Sequence, residues 1–127
     1  MAERPAAKNP LAFIIEDNES VAEVFKIAIE QAEFETEVMH DGQAALERLA
    51  TVTPALVLLD LHLPFVSGAE ILRHIRTEPQ LAKTRVILAT ADLIRAETLE
   101  HQVDFVLTKP FGFTRLYELA KELRASL

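Results

Sequence analysis

Short apolar runs recur along the chain, and each is followed by a segment with helical periodicity. Five runs are predicted to be strands, over 11–15, 36–39, 55–59, 85–90 and 104–108. The third run, ALVLL, is continuously apolar instead of alternating, which is typical of strands that helices cover on both faces. Right-handed crossovers between such strands lead to a doubly wound parallel sheet. The pattern therefore predicts an α/β fold of five β-α units.

The segments between the runs predict the helices of these units. Four of these segments cover 18–32, 69–76, 92–100 and 114–125. A fifth helix, the second along the chain, begins after an N-cap at Asp41. An aspartate is favoured at an N-cap because its carboxylate accepts a hydrogen bond from a free N–H of the first turn. Apolar residues at helical spacing predict the buried faces of the first and last helices: Val21, Val24, Phe25, Ala28 and Ile29 on the first, and Leu116, Leu119, Ala120 and Leu123 on the last.

Composition excludes several classes of function. The 127 residues suffice for one domain with a core, and the net charge of −7 argues against nonspecific binding to nucleic acid or anionic membrane. The chain has no cysteine, so disulfides, thiolate metal ligands and a cysteine nucleophile are excluded. No apolar run could span a bilayer, and none resembles a signal peptide. We expect a cytoplasmic protein with a flexible arm over 1–10 and a single domain over 11–127.

Polar residues stand where the predicted strands end. Glu16 and Asp17 follow the first strand, Asp60 the third, Thr90 ends the fourth and Lys109 follows the fifth. Each alone has a structural explanation, such as an acid near a helix N-terminus or a threonine in a strand. In doubly wound sheets, however, ligands bind beyond the carboxyl ends of the strands, where all five would meet. We therefore expect these residues to form one site.

The chemistry of such a site follows from its residue types. Three mutually repelling carboxylates would recruit a hard divalent cation, and Mg²⁺ suits oxygen ligands and phosphate. A carboxylate can also act as a nucleophile that becomes an aspartyl-phosphate. Asp60, on the central strand, is the residue best placed for that role. Lys109 would neutralise phosphoryl oxygens, and the Thr90 hydroxyl would donate a hydrogen bond to one of them.

The segments IIEDNES, LVLLDLHLPFVSG, VILATA and DFVLTKPF resemble the receiver domains of two-component response regulators, in family order and spacing over about residues 10–126. The resemblance implies a CheY-like (βα)5 sandwich with the strand order 2-1-3-4-5 that typifies that fold. It implies that Asp60 accepts a phosphoryl group from a histidine kinase or phosphotransfer protein. It also implies that Thr90 and Lys109 contact the phosphoryl group, and that the bond between Lys109 and Pro110 is cis.

The resemblance also implies a metal site. Asp17 and Asp60 would bind Mg²⁺ directly, Glu16 would bind it mostly through water, and the backbone carbonyl of His62 would complete the ligand set. His62 and Asp92 occupy positions that flank the phosphoryl site in the family and tune its lifetime. A simply solvated side chain is an equally good interpretation of His62.

Two positions depart from the family pattern. Val106 stands where an aromatic residue usually precedes the lysine by three, and Phe105 should point to the opposite face of the sheet. Gln102 stands where a glycine usually ends the fourth helix in a left-handed conformation. At Val106 two interpretations stay open: an ordinary strand residue, or a signal transmission that differs from the family's. At Gln102 we expect an irregular end to a mobile helical region over 93–101.

The sequence predicts a stand-alone receiver, because no output domain follows the last helix. It would be a phosphoacceptor and not an enzyme, assisting only its own phosphorylation and dephosphorylation. Phosphorylation would bias an existing equilibrium and so change protein contacts, or the phosphoryl group would pass onward in a relay. The expected output surface contains Ile94, Arg95, Thr98, Val106 and Tyr117.

The expected partners are a histidine kinase or phosphotransfer protein and an unidentified downstream protein. Nucleic acid and membrane are not expected, and the chain should be a monomer or a weak homodimer. Two alternatives stay open. One is a binding module that kept the fold and lost the switch, which the residues Val106 and Gln102 favour. The other is a phosphatase that forms an aspartyl-phosphate, although His62 stands where such enzymes carry a second acid.

Overall fold

A computed structural model describes residues 9–127, and within them five strands form one parallel sheet. The strands are β1 (Leu11–Ile15), β2 (Glu35–Met39), β3 (Leu56–Asp60), β4 (Arg85–Thr90) and β5 (Phe105–Thr108). Their order is β2-β1-β3-β4-β5. The α/β class and the strand order are therefore both confirmed. Residues 1–8 of the predicted arm lie outside the described residues, and the single domain over 11–127 stays a prediction.

Helices follow the strands as expected. They are α1 (Glu19–Gln31), α2 (Gly42–Leu49), α3 (Gly68–Thr77), α4 (Leu93–Leu99) and α5 (Phe113–Ala125), with short 3₁₀ turns at Pro79–Leu81 and Glu100–Gln102. Within the described part of the chain, no helix has the length and apolar character needed to cross a membrane.

Capping side chains fix the residues at which α2 and α3 begin. The Asp41 carboxylate accepts a hydrogen bond from the Ala44 N–H at 2.8 Å, which confirms the predicted N-cap of α2. Ser67 and Glu70 form a reciprocal capping box at the start of α3. The spacing of serine and glutamate is the usual sequence signature of this motif.

The sheet separates two hydrophobic cores. Alternate residues of β3 point to opposite faces, so Leu56 and Leu58 pack with α1 and α5, while Val57 and Leu59 pack with α2 and α3. Because helices cover both faces, β3 is buried over its whole length. This explains the uninterrupted apolar run in its sequence.

The predicted stripe on α1 is wrong at Val24, which is 48% exposed. Ala22 is buried there instead, together with Phe25, Ala28 and Ile29. These residues share one face at spacings of three and four, and Phe25, Ala28 and Ile29 of that face pack with the sheet and with α5. Val24 falls outside this face. On α5, the four predicted core residues are all buried.

The fourth helix ends irregularly. α4 stops at Leu99 and continues as the 3₁₀ turn Glu100–Gln102, and the backbone of Gln102 does not have a positive φ. The irregular end expected at Gln102 therefore takes the form of a tightened last turn, in place of a left-handed cap. The mobility expected for 93–101 stays a prediction.

Candidate functional site

The carboxylates at the ends of β1 and β3 form a cluster. Glu16 and Asp17 follow β1 directly, and Asp60 is the last residue of β3. Because Ile15 is aligned with Leu59 in the parallel register, Glu16 and Asp60 come side by side at one edge of the sheet. Oxygens of Glu16, Asp17 and Asp60 all lie within 4.8 Å of one another. The structure thus brings together the three carboxylates that the sequence placed at this edge.

The three carboxylates differ in exposure. The side chain of Glu16 is 3% exposed and that of Asp60 is 8% exposed, whereas Asp17 is exposed. The Asn18 N–H donates to Glu16 Oε2 at 3.1 Å, and the His62 N–H donates to Asp60 Oδ1 at 3.3 Å. Backbone donors therefore hold the two buried carboxylates, while Asp17 is exposed. We name the site formed by Glu16, Asp17 and Asp60 the cleft.

Lys109 brings a positive charge to this cluster from β5. Its ammonium donates to Glu16 Oε1 at 2.8 Å and lies 3.6 Å from Asp60 Oδ1. The Lys109 N–H donates to the Thr90 carbonyl at 2.9 Å, which ties this residue to the end of β4. The bond between Lys109 and Pro110 is cis. The Nζ atom also lies 6.0 Å from the centre of the Phe25 ring. One ammonium thus contacts two of the three clustered carboxylates, and the cleft keeps an excess of negative charge.

These surroundings shift two pKa values. Burial raises the pKa of Asp60 to about 6, and the negative charge of Glu16 acts in the same direction, while Lys109 opposes the rise. Burial lowers the pKa of Lys109, but its hydrogen bond to Glu16 and the charge of Asp60 outweigh that effect, so this pKa is raised overall. The lysine therefore remains an ammonium. The Asp60 carboxyl is mostly ionised at neutral pH, and burial makes this ionised form less favourable than it would be in water.

Thr90 lies at the same edge on β4 and is buried. Its Oγ1 accepts a hydrogen bond from the Asp92 N–H at 2.9 Å, and its carbonyl accepts the one from Lys109. The predicted site residues Glu16, Asp17, Asp60, Thr90 and Lys109 therefore all lie at the carboxyl ends of the strands.

Two contacts at the cleft were not anticipated. The His62 Nε2 lies 3.3 Å from Asp92 Oδ2, which joins the loops after β3 and β4. The His40 Nδ1 lies 3.0 Å from the carbonyl oxygen of Glu16. The family resemblance places His62 and Asp92 beside the phosphoryl site without pairing them, because pairing between loops depends on their conformations. His40 directly follows β2, which was the only available signal for its contact. The structure leaves the predicted metal role of the His62 carbonyl as a prediction.

The predicted output residues occupy several environments. Ile94, Arg95 and Thr98 are exposed on α4. Tyr117 is half-buried and packs against the core beneath α1 and α5, whereas Val106 packs against the core on the other face. Phe105 lies on the face opposite Val106, as expected from strand geometry. Their signalling role stays a prediction.

Comparison with known proteins gives one consistent family. The family model of the response regulator receiver domain matches residues 12–121. The transcriptional regulatory protein TrcR of Mycobacterium tuberculosis is 33% identical over 115 residues, which are 90% of this chain and 44% of that protein. The chain spans about half the length of the curated relatives it matches.

Solved structures agree with this comparison. The receiver domain of the Francisella response regulator 1452 has a TM-score of 0.80 at 27% identity, with 93% of this chain and 98% of that chain covered. The receiver domain of a sensor histidine kinase from Pseudomonas aeruginosa, solved with a magnesium ion coordinated in its active site cleft, has a TM-score of 0.81 at 20% identity. The alignment covers 92% of this chain and 98% of that one.

Proposed function

The chain belongs to the response regulator receiver domain family of two-component signalling, and we propose from this premise that Asp60 accepts a phosphoryl group from a histidine kinase or phosphotransfer protein. The observation that carries the proposal is the position of Asp60. Its carboxylate ends the central strand, recessed in the cleft, with the Lys109 ammonium 3.6 Å away. Two further carboxylates lie within 4.8 Å.

The transfer uses these side chains in distinct roles. A carboxylate oxygen of Asp60 attacks the phosphorus of phosphohistidine, so a P–O bond forms while the P–N bond breaks. The imidazole leaves with the bonding electron pair and takes a proton from solvent. Lys109 neutralises charge on the phosphoryl oxygens, and the Thr90 hydroxyl, whose oxygen already accepts from the Asp92 N–H, still has its own proton to donate.

The donor set fits Mg²⁺, which family members bind at an acidic site. Clustered carboxylate oxygens with excess negative charge are the ligands that this ion prefers. We propose that Asp17, Asp60 and the His62 carbonyl hold it directly. Both Glu16 oxygens already accept hydrogen bonds, one from Lys109 and one from the Asn18 N–H, which supports contact through water. When bound, the ion supplies further neutralisation of negative charge around the phosphoryl group.

The proposed output is a population shift. Phosphorylation would favour one of two conformations of the surface that contains Ile94, Arg95, Thr98, Val106 and Tyr117, or the phosphoryl group would move onward in a relay. Stand-alone action, the cytoplasmic location and the monomeric or weakly dimeric state stay predictions. A binding module without a switch is the second candidate, and the presence of Val106 at the aromatic position is the observation that favours it.

The proposal is tested by the intact mass of the protein after incubation with Mg²⁺ and acetyl phosphate. We expect a gain of one phosphoryl group, about 80 Da, that is absent in Asp60→Asn and absent when a chelator is added first. The control Glu97→Gln removes an exposed carboxylate on α4 and should gain the same mass. No gain with acetyl phosphate or with any autophosphorylated histidine kinase of a panel would contradict the proposal and favour the binding module.

A further inference from the structure

A cavity of about 700 Å³ lies at the edge of the sheet opposite to Asp60. It is lined by Leu11 and Arg85, which begin β1 and β4, and by Ala55 and Asp104, which directly precede β3 and β5. The amino ends of four parallel strands therefore meet at this cavity, which we name the amino-edge cavity. The proposed phosphoryl transfer takes place at the carboxyl ends of the strands and does not use it.

The walls of the amino-edge cavity are largely apolar. Its volume is typical of sites that hold a small organic molecule, and such sites combine apolar walls with a few polar groups. The residues that follow α5 close one side, where Arg85 Nη2 lies 3.5 Å from the Ser126 carbonyl oxygen. Six residues supply the apolar part of the wall: Pro10, Leu11, Pro54, Ala55, Ala82 and Leu127.

Arg76 and Asp104 form a charge-balanced part of the wall. Arg76 Nε donates to the Gln102 carbonyl at 2.7 Å, and Arg76 Nη1 donates to the Thr84 carbonyl at 2.9 Å. Arg76 Nη2 lies 3.5 Å from Asp104 Oδ2, which also accepts a hydrogen bond from the Val86 N–H at 2.7 Å. Both side chains thus have partners within the fold, and neither needs a ligand.

Lys83 and Arg85 leave positive charge at the cavity without a partner. Lys83 is exposed and Arg85 is half-buried, and neither forms an ion pair with a carboxylate of the described residues. The chain has 20 acidic residues against 13 lysines and arginines, so unpaired cations at neighbouring positions are unusual in it. Two cations beside apolar walls repel each other, and a bound anion would relieve that repulsion.

We propose that the amino-edge cavity binds a small organic carboxylate, with its apolar body against the apolar walls and its carboxylate on Lys83 and Arg85. The arginine guanidinium suits this role, because its planar fork can donate two parallel hydrogen bonds to one carboxylate. A singly charged carboxylate suits a chain of net charge −7 better than a doubly charged phosphate does. A recess of this volume fits a small molecule, whereas a protein partner would need a wider apolar face.

The test is a titration of the ¹⁵N-labelled chain at pH 7.5, followed by NMR of the backbone amides. The probe is 4-phenylbutyrate, which joins an apolar body to a carboxylate. Its neutral analogue 4-phenylbutanamide has the body without the charge, and acetate has the charge without the body. The acidic tetrapeptide acetyl-DFEL-amide represents a protein partner. None of these compounds donates a phosphoryl group, so the result is independent of the proposed function.

Four variants locate the site. Lys83→Met and Arg85→Met each remove one of the two cations, and Ala82→Trp fills the cavity from an exposed position in its wall. Lys26→Met is the matched control, because it removes an exposed charge on α1 and changes the net charge by the same amount as Lys83→Met. The NMR spectrum of each variant also reports whether it is folded.

We expect 4-phenylbutyrate to give saturable shifts centred on amides that line the cavity, with a Kd below about 5 mM. Binding should weaken at least about threefold for the neutral amide and in Lys83→Met and Arg85→Met, and it should be lost in Ala82→Trp. Acetate should not saturate in this range, and Lys26→Met should bind as the unaltered chain does.

Three results would overturn the inference: no saturable shift at the cavity, equal affinity for the acid and its neutral amide, or equal affinity of Lys83→Met and Lys26→Met for the acid. Tighter binding of the tetrapeptide than of 4-phenylbutyrate would overturn it in favour of an acidic protein partner.

Discussion

The Lys109 ammonium donates a hydrogen bond to Glu16 Oε1 at 2.8 Å and so joins residues that are 93 positions apart. Glu16 is nearly inaccessible, with a side chain 3% exposed, whereas Lys109 is 27% exposed. A buried carboxylate without a partner is costly. The lysine from β5 therefore stabilises the acid that follows β1, in addition to any role toward a phosphoryl group.

Loss of this partner should destabilise the protein. We expect Lys109→Met to lower the free energy of unfolding by about 2 kcal/mol, below the usual cost of breaking a buried pair because Lys109 is partly exposed. The double variant Glu16→Gln/Lys109→Met should recover only part of the loss, because Glu16 no longer carries a buried charge without a partner, whereas Asp60 still lacks the nearby ammonium. Urea unfolding with a chelator measures both values. The control Lys26→Met, at the exposed pair with Glu30, should cost about 0.5 kcal/mol or less. Equal losses at Lys109 and Lys26 would contradict the prediction.

Asp60 should make the stability of the metal-free protein depend on pH. Its pKa is raised from 3.8 to about 6 in the folded chain, so the folded state binds this proton more tightly than the unfolded state. The contribution of Asp60 to the free energy of unfolding is therefore fully present at low pH. It decreases by about 3 kcal/mol at most as the pH rises from about 4 through about 6, because the buried carboxyl loses its proton over this range. Asp60→Asn should therefore stabilise the protein much more at pH 7.5 than at pH 4.5.

Urea unfolding at the two pH values checks this dependence. Glu97→Gln removes an exposed acid and should change stability by the same small amount at both values. An equal gain for Asp60→Asn at pH 4.5 and pH 7.5 would show that its carboxyl is not destabilised by burial.

Removal of Asp17 should weaken Mg²⁺ binding. Thermal unfolding of the unaltered chain should shift upward with Mg²⁺ concentration, because an ion that binds the folded state alone stabilises it. We expect Asp17→Asn to lower the apparent affinity at least about tenfold. The same variant should unfold at a higher temperature in chelator, since one of three clustered negative charges is gone. The control Glu118→Gln removes an exposed acid on α5. If Mg²⁺ raises the unfolding temperature of Asp17→Asn as much as it raises that of this control, Asp17 is not a ligand.

Among the described residues, two have a positive φ, and replacing either one with glycine should stabilise the protein. Phe65→Gly and Glu33→Gly each relieve a left-handed backbone, with φ values of 68° and 70°. The relief exceeds the cost of greater freedom in the unfolded chain, and we expect each variant to gain about 1 kcal/mol. Phe65→Ala keeps the Cβ and should gain nothing. Urea midpoints of the three variants check this, and equal stability of Phe65→Gly and Phe65→Ala would contradict the assigned strain.

Local patterns predicted much of the fold and of the site. Apolar runs located the strands, and the polar residues that end them, such as Asp60 and Thr90, were placed at one edge because parallel strands share a direction. The prediction failed at Val24, since which side of an amphipathic helix faces the core depends on how neighbouring helices pack. The contact between His62 and Asp92 was missed because it depends on the relative positions of two loops.

The sequence by itself therefore determined the order of strands and helices, the edge of the sheet where Asp17, Asp60 and Lys109 meet, and the family resemblance. These features follow from short-range periodicity and from the direction of the chain, both of which can be read from residues that are close in sequence. Only the tertiary structure decided that Lys109 pairs with Glu16 and that Phe65 is strained and exposed beside the acceptor. Such features depend on the relative positions of segments that are far apart in the chain, and on how loops pack against the sheet. Tertiary packing sets these positions, and local sequence patterns do not encode them.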